Sequence, residues 1–274
     1  MKQERLMGIA AICSLLLSGV LLALGVLDPF YGVAFGYLLG GIFFPWSAIV
    51  AERVWRQLPP EERLTDYSFN QVRVFLIISA IFTTTAIIPH YLLVLAGASI
   101  PLITIVNWLS HALLTAQIIL GARLVLSLYS ARFTLPITIG LIIVGLASLT
   151  VNAISPDYFV SVPGASHPLL HPSLIFSFFQ QALIFVGIIM PSIYLLVQVV
   201  RIPRESRVRW SATLLAVGYL LGALTAIMID YGTGVFAALT ILVLVTLYPF
   251  SVSLAGLRIA LDRRARLNTV YSNT

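Results

Sequence analysis

The chain has 274 residues, of which 59% are hydrophobic and only 9% are charged. Soluble domains carry roughly 25% charged residues, so this composition excludes an ordinary globular protein and indicates an integral membrane protein. The formal net charge of +6 does not indicate a nucleic-acid-binding protein, because the basic residues fall in the short segments between apolar runs.

Eight apolar stretches are long enough to cross a bilayer, since a spanning helix needs about 20 residues. The first lacks a clear cleavage site of small residues and leads directly into the second, so we interpret it as a retained anchor rather than a cleaved signal peptide. We therefore predict an all-α integral membrane protein with eight transmembrane helices. In chain order they cover residues 7–27, 30–51, 74–96, 100–122, 135–154, 173–200, 210–229 and 235–257.

The basic residues predict the topology. All 16 lysine and arginine residues fall on one side of the predicted membrane, at the two termini and in the loops after the second, fourth and sixth stretches. The alternate loops contain none. Because basic loops stay in the cytoplasm, we predict a prokaryotic-type cytoplasmic membrane, with both termini in the cytoplasm and the lipid bilayer as a partner. Nucleic acid is not expected as a partner.

The sequence also indicates an internal duplication. Gly-Ile-Phe-Phe-Pro at residues 41–45, late in the second helix, recurs as Gly-Ile-Ile-Met-Pro at residues 187–191, late in the sixth. The prolines should kink equivalent helices. Each unit has four helices, an even number, so the repeat is parallel. We predict two four-helix bundles, residues 1–133 and 134–274, the second with an inserted outer loop at 156–171.

Two histidines lie inside predicted helices, where ionisable residues are costly and are therefore functional candidates. His90 is in the third helix and His111 is in the fourth, and the two helices form a hairpin. Both histidines fall between the midplane and the outer surface. Polar and aromatic side chains on the same hairpin and on the sixth helix complete the candidate site, namely Tyr91, Asn107, Trp108, Gln180 and Gln181.

Several roles are open for these residues. Polar side chains often join membrane helices by hydrogen bonds without any ligand. The histidines could otherwise handle the protons of a quinol, or ligate a metal or haem. A quinone fits a polar site beneath apolar surface, whereas haem fits less well because neighbours in a hairpin leave little room for the macrocycle. For His167 and His171 we weigh an exposed loop against metal binding, and we assign no metal site because two ligands are too few.

The sequence contains no catalytic fingerprint, so whether the chain is an enzyme stays open. Lys2 is the only lysine, which excludes a retinal Schiff base within the membrane, and no glycine-rich phosphate loop is present. The helix count, the duplication and the outward polar residues resemble the membrane subunits of polysulfide- and dimethylsulfoxide-reductase-type complexes. That resemblance implies electron exchange between quinol and an external iron–sulfur subunit.

We therefore expect a membrane subunit of a respiratory or redox complex, with other protein subunits as partners. His90 or His111 would accept a quinol proton on the outer side. The alternatives are a small-molecule transporter, with the repeated prolines as hinges, and a structural or sensory subunit without its own cofactor.

Overall fold

The computed structural model describes residues 2–23, 29–127, 131–160, 169–203, 206–231 and 234–271. This part of the chain is almost entirely helical, because a helix satisfies its backbone hydrogen bonds within one apolar segment. The helices in chain order are α1 (Lys2–Ala23), α2 (Pro29–Gln57), α3 (Pro60–Thr65), α4 (Tyr67–Ile81), α5 (Ile88–Leu95), α6 (Ile100–Ser127), α7 (Ala131–Ile154), α8 (Leu174–Ile184), α9 (Met190–Val199), α10 (Arg207–Tyr231) and α11 (Gly234–Tyr271).

Six helical segments in the described chain are long and apolar enough to cross a membrane, which agrees with the predicted class and with a lipid bilayer as the surroundings. Helices α1 and α2 occupy the first two predicted spans but are outside this set. The eight-helix topology and the location of the termini therefore stay predictions. The six segments are Tyr67–Leu95, Ile100–Ser127, Phe133–Ile154, Leu174–Val199, Val208–Met228 and Thr240–Ala265.

Helices from the two predicted repeats pack directly on one another. Helix α11 has its most extensive contacts with α2 and α10, and α4 contacts α2, α6 and α11. The largest buried cluster combines Phe44 of α2, Phe75 of α4, Tyr219 of α10 and Val252 of α11. Helix α1 packs against α11 and α2. The shared core joins the two predicted repeats, while the duplication itself stays a prediction.

Two of the spanning segments contain a π-helical turn just before a proline. Phe82–Ile87 lies between α4 and α5, and Phe185–Ile189 lies between α8 and α9. Pro89 and Pro191 follow these turns by two residues. A proline ring clashes with the carbonyl four residues earlier, and in both segments that carbonyl belongs to the wider π turn. Pro45, by contrast, lies inside the uninterrupted helix α2.

Two connections at the end away from the basic loops position the candidate site. Helices α5 and α6 are joined by a tight turn in which Gly97 has a φ of 63°, a conformation that favours glycine. Helices α7 and α8 are joined through an antiparallel pair of strands, β1 (Tyr158–Val160) and β2 (Leu169–His171). Much of the predicted outer loop, including His167, lies outside the described residues.

Candidate functional site: a histidine–aspartate pair

A histidine and an aspartate meet at the end of the molecule away from the basic loops. His111 Nε2 lies 2.8 Å from Asp157 Oδ2, and their side chains are 16% and 4% exposed. His111 lies about three turns from the start of α6, whereas Asp157 follows the end of α7 and immediately precedes β1. A charge buried to this extent needs hydrogen-bonding partners, so the pair is a specific arrangement rather than a solvated surface contact.

Two asparagines complete the coordination of the carboxylate. Asn107 Nδ2 donates to Asp157 Oδ2 at 2.5 Å, and Asn152 Nδ2 donates to Asp157 Oδ1 at 2.7 Å. Asn107 Nδ2 also lies 3.2 Å from His111 Nε2. Both carboxylate oxygens therefore have at least one N–H donor. We call these four residues, Asn107, His111, Asn152 and Asp157, the Asp157 cluster.

Local sequence explains how the Asp157 cluster forms. Asn107 and His111 are four residues apart on α6, so their side chains lie on one face of the helix. Asn152 is in the last turn of α7, and Pro156 ends the helical path because it cannot continue the backbone hydrogen-bond ladder. The chain then turns back and places Asp157 beside α6. The Phe176 ring of α8 covers the imidazole, with ring centroids 4.5 Å apart.

The structure places His90 near the Asp157 cluster but not in it. His90 of α5 is half-buried and close enough to His111 and Asp157 to interact with both electrostatically. Its Nδ1 atom is buried without a hydrogen-bond partner. The adjacent Tyr91 is directed elsewhere, since its ring packs on Phe30 and Tyr37 of α2 with centroids 5.4 and 5.6 Å away.

The other predicted site residues divide between the surface and the interior. Trp108 is 40% exposed, and its indole N–H donates to the Leu149 carbonyl of α7 at 3.4 Å. Gln180 is buried on α8 with its Oε1 atom unpartnered, and Gln181 is half-buried. Of the seven predicted site residues, Asn107 and His111 are the ones that contact the carboxylate of Asp157.

The sequence analysis missed Asp157 and Asn152, and it also missed a second polar centre deeper in the protein. Gln117 Nε2 donates to Ser79 Oγ at 2.7 Å and to the Tyr248 hydroxyl at 2.6 Å. These contacts join α6 to α4 and α11. The available signal was a single glutamine in an otherwise apolar stretch of α6, a costly residue inside a membrane.

The histidine of the outer strand pair has a different environment. His171 lies opposite Tyr158 across the two strands, with ring centroids 6.2 Å apart. Among the residues that the structure describes, no group of three or more His, Cys, Asp or Glu side chains is arranged to hold a metal ion. His171 therefore belongs to the strand pair and not to the Asp157 cluster.

Comparison with known proteins finds no matching family, no matching curated protein and no matching solved structure. The Asp157 cluster and its position among the apolar helices are the features of the molecule that bear on its function.

Proposed function

We propose that the chain is an integral membrane subunit of a respiratory or redox complex and binds a quinol beside the Asp157 cluster. The observation that carries the proposal is the buried pair of His111 and Asp157, 2.8 Å apart. In this proposal the basic loops and both termini face the cytoplasm, and the cluster faces the outer side. Other protein subunits supply the electron acceptor, an iron–sulfur centre by analogy with the complexes that the helix pattern resembles.

The arrangement suits a proton acceptor. Asp157, as a carboxylate, accepts hydrogen bonds from Asn107, Asn152 and the Nε2–H group of His111. In this tautomer the other ring nitrogen, Nδ1, carries the lone pair and is the basic atom. A quinol hydroxyl would transfer its proton to Nδ1, and the carboxylate would balance the charge of the resulting imidazolium. Oxidation of the quinol to the quinone would release two electrons, which pass to the partner subunit, and a second proton, which His90 would accept or which would leave to the outer side.

The neighbouring residues would orient the quinol. His90 lies close enough to interact with the pair and is the second candidate for a proton acceptor. The Phe176 ring against His111 and the partly exposed Trp108 provide apolar surface for the ring and tail. A site of this kind can be entered from the lipid, where quinols are dissolved.

Binding of decylubiquinol, kept reduced under anaerobic conditions, to the purified chain in lipid nanodiscs tests the proposal, with quenching of intrinsic tryptophan fluorescence as the readout. His111→Ala and Asp157→Asn should each weaken binding by roughly tenfold or more, because hydrogen bonds that involve a charged group contribute about 1.5–3 kcal/mol. His171→Ala is the matched control, since His171 is at the same end but outside the cluster. Equal affinity in wild type and His111→Ala would contradict the proposal.

A proton-coupled transporter is the second candidate function. It is favoured by the combination of a titratable pair, His111 and Asp157, with π-helical turns in two spanning segments, because such turns are frequent at functional sites and at places where helices bend. Solute uptake into vesicles that is driven by an imposed proton gradient and abolished by His111→Ala, without quinone binding, would favour this alternative. If the chain is a structural or sensory subunit, we expect neither quinol binding nor proton-driven uptake.

A further inference from the structure

A small cavity lies in the centre of the protein, between α6, α10, α11 and the π turn Phe185–Ile189, with a volume of about 40 Å³. Three glycines from three segments line this space, Gly121, Gly187 and Gly222. An added Cβ atom would lie 3.2 Å from the Tyr219 hydroxyl at Gly121, 2.4 Å from Ile118 Cγ2 at Gly187, and 2.9 Å from the Tyr248 ring at Gly222. The cavity lining is therefore closely packed at the glycines, and a larger residue there would have to displace a neighbouring side chain.

Two polar atoms without hydrogen-bond partners belong to side chains that line the cavity. They are Gln117 Oε1 and the Tyr219 hydroxyl, in residues that are 3% and 5% exposed. The Ser79 hydroxyl donates to the Phe75 carbonyl and therefore accepts from Gln117, which assigns the amide nitrogen to this side and leaves Oε1 on the other. Burying a polar group without a partner is strongly unfavourable. Two such atoms at one cavity point to a bound polar species.

We propose that this central cavity is a hydrated site, in which water molecules bridge Gln117 Oε1 and the Tyr219 hydroxyl. A buried water needs about 10–15 Å³ of such space and two to four polar partners, so a cavity of about 40 Å³ holds about three. The Tyr248 hydroxyl, which also lines the cavity, supplies a third polar group. The volume is too small for a drug-sized ligand, whose pockets measure about 300–1,000 Å³.

The hydrated site lies on the same face of α6 as His111 of the Asp157 cluster. On α6, His111, Leu114, Ile118 and Gly121 follow one another at spacings of three and four residues and share one face. The last three of these line the cavity. Gln117 is six residues from His111, or about 9 Å along the helix axis. Water at this site thus lies about 9 Å from the titratable pair along α6, on the side toward Arg123 and the basic loops. The proposal does not depend on quinol binding.

Water-edited solid-state NMR on the wild-type chain in lipid tests for hydration directly. Tyrosine labelled with ¹³C at Cζ gives a Tyr219 signal that is assigned by its loss in Tyr219→Phe. We expect polarisation from mobile water to reach Tyr219 nearly as fast as it reaches the exposed Tyr158. A Tyr219 signal that builds up only as slowly as that of Tyr91, which packs in the apolar clusters, would mean a dry cavity and would overturn the proposal.

Thermal unfolding of Tyr219→Phe is an independent test, because the sign of the change in Tm depends on whether water is bound to the Tyr219 hydroxyl. If the hydroxyl is bonded to water, its removal lowers the Tm, on the order of 2–4 °C. If the hydroxyl is buried in a dry cavity, its removal leaves the Tm unchanged or raises it, and the proposal fails. Tyr158→Phe, at an exposed position of β1, is the control. Decylubiquinol binding by wild type is measured separately, so failure of the proposed function does not affect this result.

Discussion

Asp157 gives the candidate site its arrangement, because two asparagines and a histidine from α6 and α7 meet at its two carboxylate oxygens. Helical spacing in the sequence predicted that Asn107 and His111 share a face. The same spacing could not predict Asp157, since it lies three residues beyond the end of α7 and 46 positions from His111. Its approach to α6 depends on the turn after α7, which helical periodicity does not describe.

Replacement of Asp157 by asparagine should destabilise the protein. The substitution keeps the shape but turns one acceptor oxygen into an N–H₂ group, which then faces the donors Asn107 or Asn152. We expect a loss of about 1.5–3 kcal/mol, seen as a lower Tm in thermal unfolding of the detergent-purified chain. Glu61→Gln, at an exposed position of α3, is the control. A Tm equal to that of wild type would show that the carboxylate is not needed for this packing.

Glu52, just beyond the second predicted span, leads to a prediction about pH. Hydrogen bonds from Arg56 and, to a smaller extent, Arg73 hold the pKa of Glu52 below its ordinary value of 4.5, although partial burial opposes them. A lowered pKa means that the ionised form stabilises the folded state at neutral pH and that this contribution is lost as the pH falls below about 4.5. The distances to Arg56 and Arg73 are 2.8 and 2.5 Å.

Glu52→Gln should therefore lower stability at pH 7 by about 1 kcal/mol, because Glu52 is half-buried but its partner Arg56 is largely exposed and screened by solvent. The variant should also show a smaller decrease in Tm on acidification than wild type. Unfolding scans between pH 7 and pH 3.5 measure both effects. An equal decrease in Tm on acidification in wild type and variant would assign the acid sensitivity to other groups.

At the level of secondary structure, six of the eight predicted spans coincide with helical segments that are long and apolar enough to cross a membrane, but the apolar runs did not predict where those helices change their pitch. Both π turns end two residues before a proline, at Pro89 and Pro191. Pro45, Pro136 and Pro249 lie inside regular α-helices. A proline alone therefore does not predict a π turn, since the turn also depends on how neighbouring helices accommodate the displaced carbonyl group.

Gly187, inside the second π turn, should not tolerate a methyl group. A Cβ atom at Gly187 would lie 2.4 Å from Ile118 Cγ2, whereas a Cβ atom at Gly140 would meet nothing within 4 Å. Gly187→Ala should therefore cost about 1–3 kcal/mol by overpacking, and Gly140→Ala should be neutral or slightly stabilising. Thermal unfolding compares the buried Gly187 of the π turn with the exposed Gly140 of the α-helix α7.

The double variant Gly187→Ala, Ile118→Ala tests whether that contact is the cause. Removal of the Ile118 side chain beyond Cβ makes room for the new methyl group, so the two changes should be less destabilising together than the sum of their separate effects. Strict additivity would mean that Gly187 is required for the backbone of the π turn rather than for its distance from α6.

At the level of the whole molecule, the sequence supports a prediction of orientation but offers little from which to predict packing. The one-sided distribution of basic residues is a local property of each loop and can be read directly. The contacts between helices cannot be read from the sequence in this way, because a helix that is apolar on all sides has no distinct face that would indicate its neighbour. The extensive contact between α2 and α11, and the aromatic pair Phe44–Tyr248 that it includes, were not predicted for this reason.

The predicted topology can be tested by labelling cysteines from one side of the membrane. Cys13 is the only cysteine, so Cys13→Ser gives a background in which each introduced thiol is unique. Ser99 precedes α6 at the end of the Asp157 cluster, and Glu61 is in α3 at the opposite end; both are exposed. Ser99→Cys should react with a membrane-impermeant maleimide in intact cells, whereas Glu61→Cys should react only after permeabilisation. The reverse pattern would place the Asp157 cluster on the cytoplasmic side, and a quinol bound there would release its proton inward.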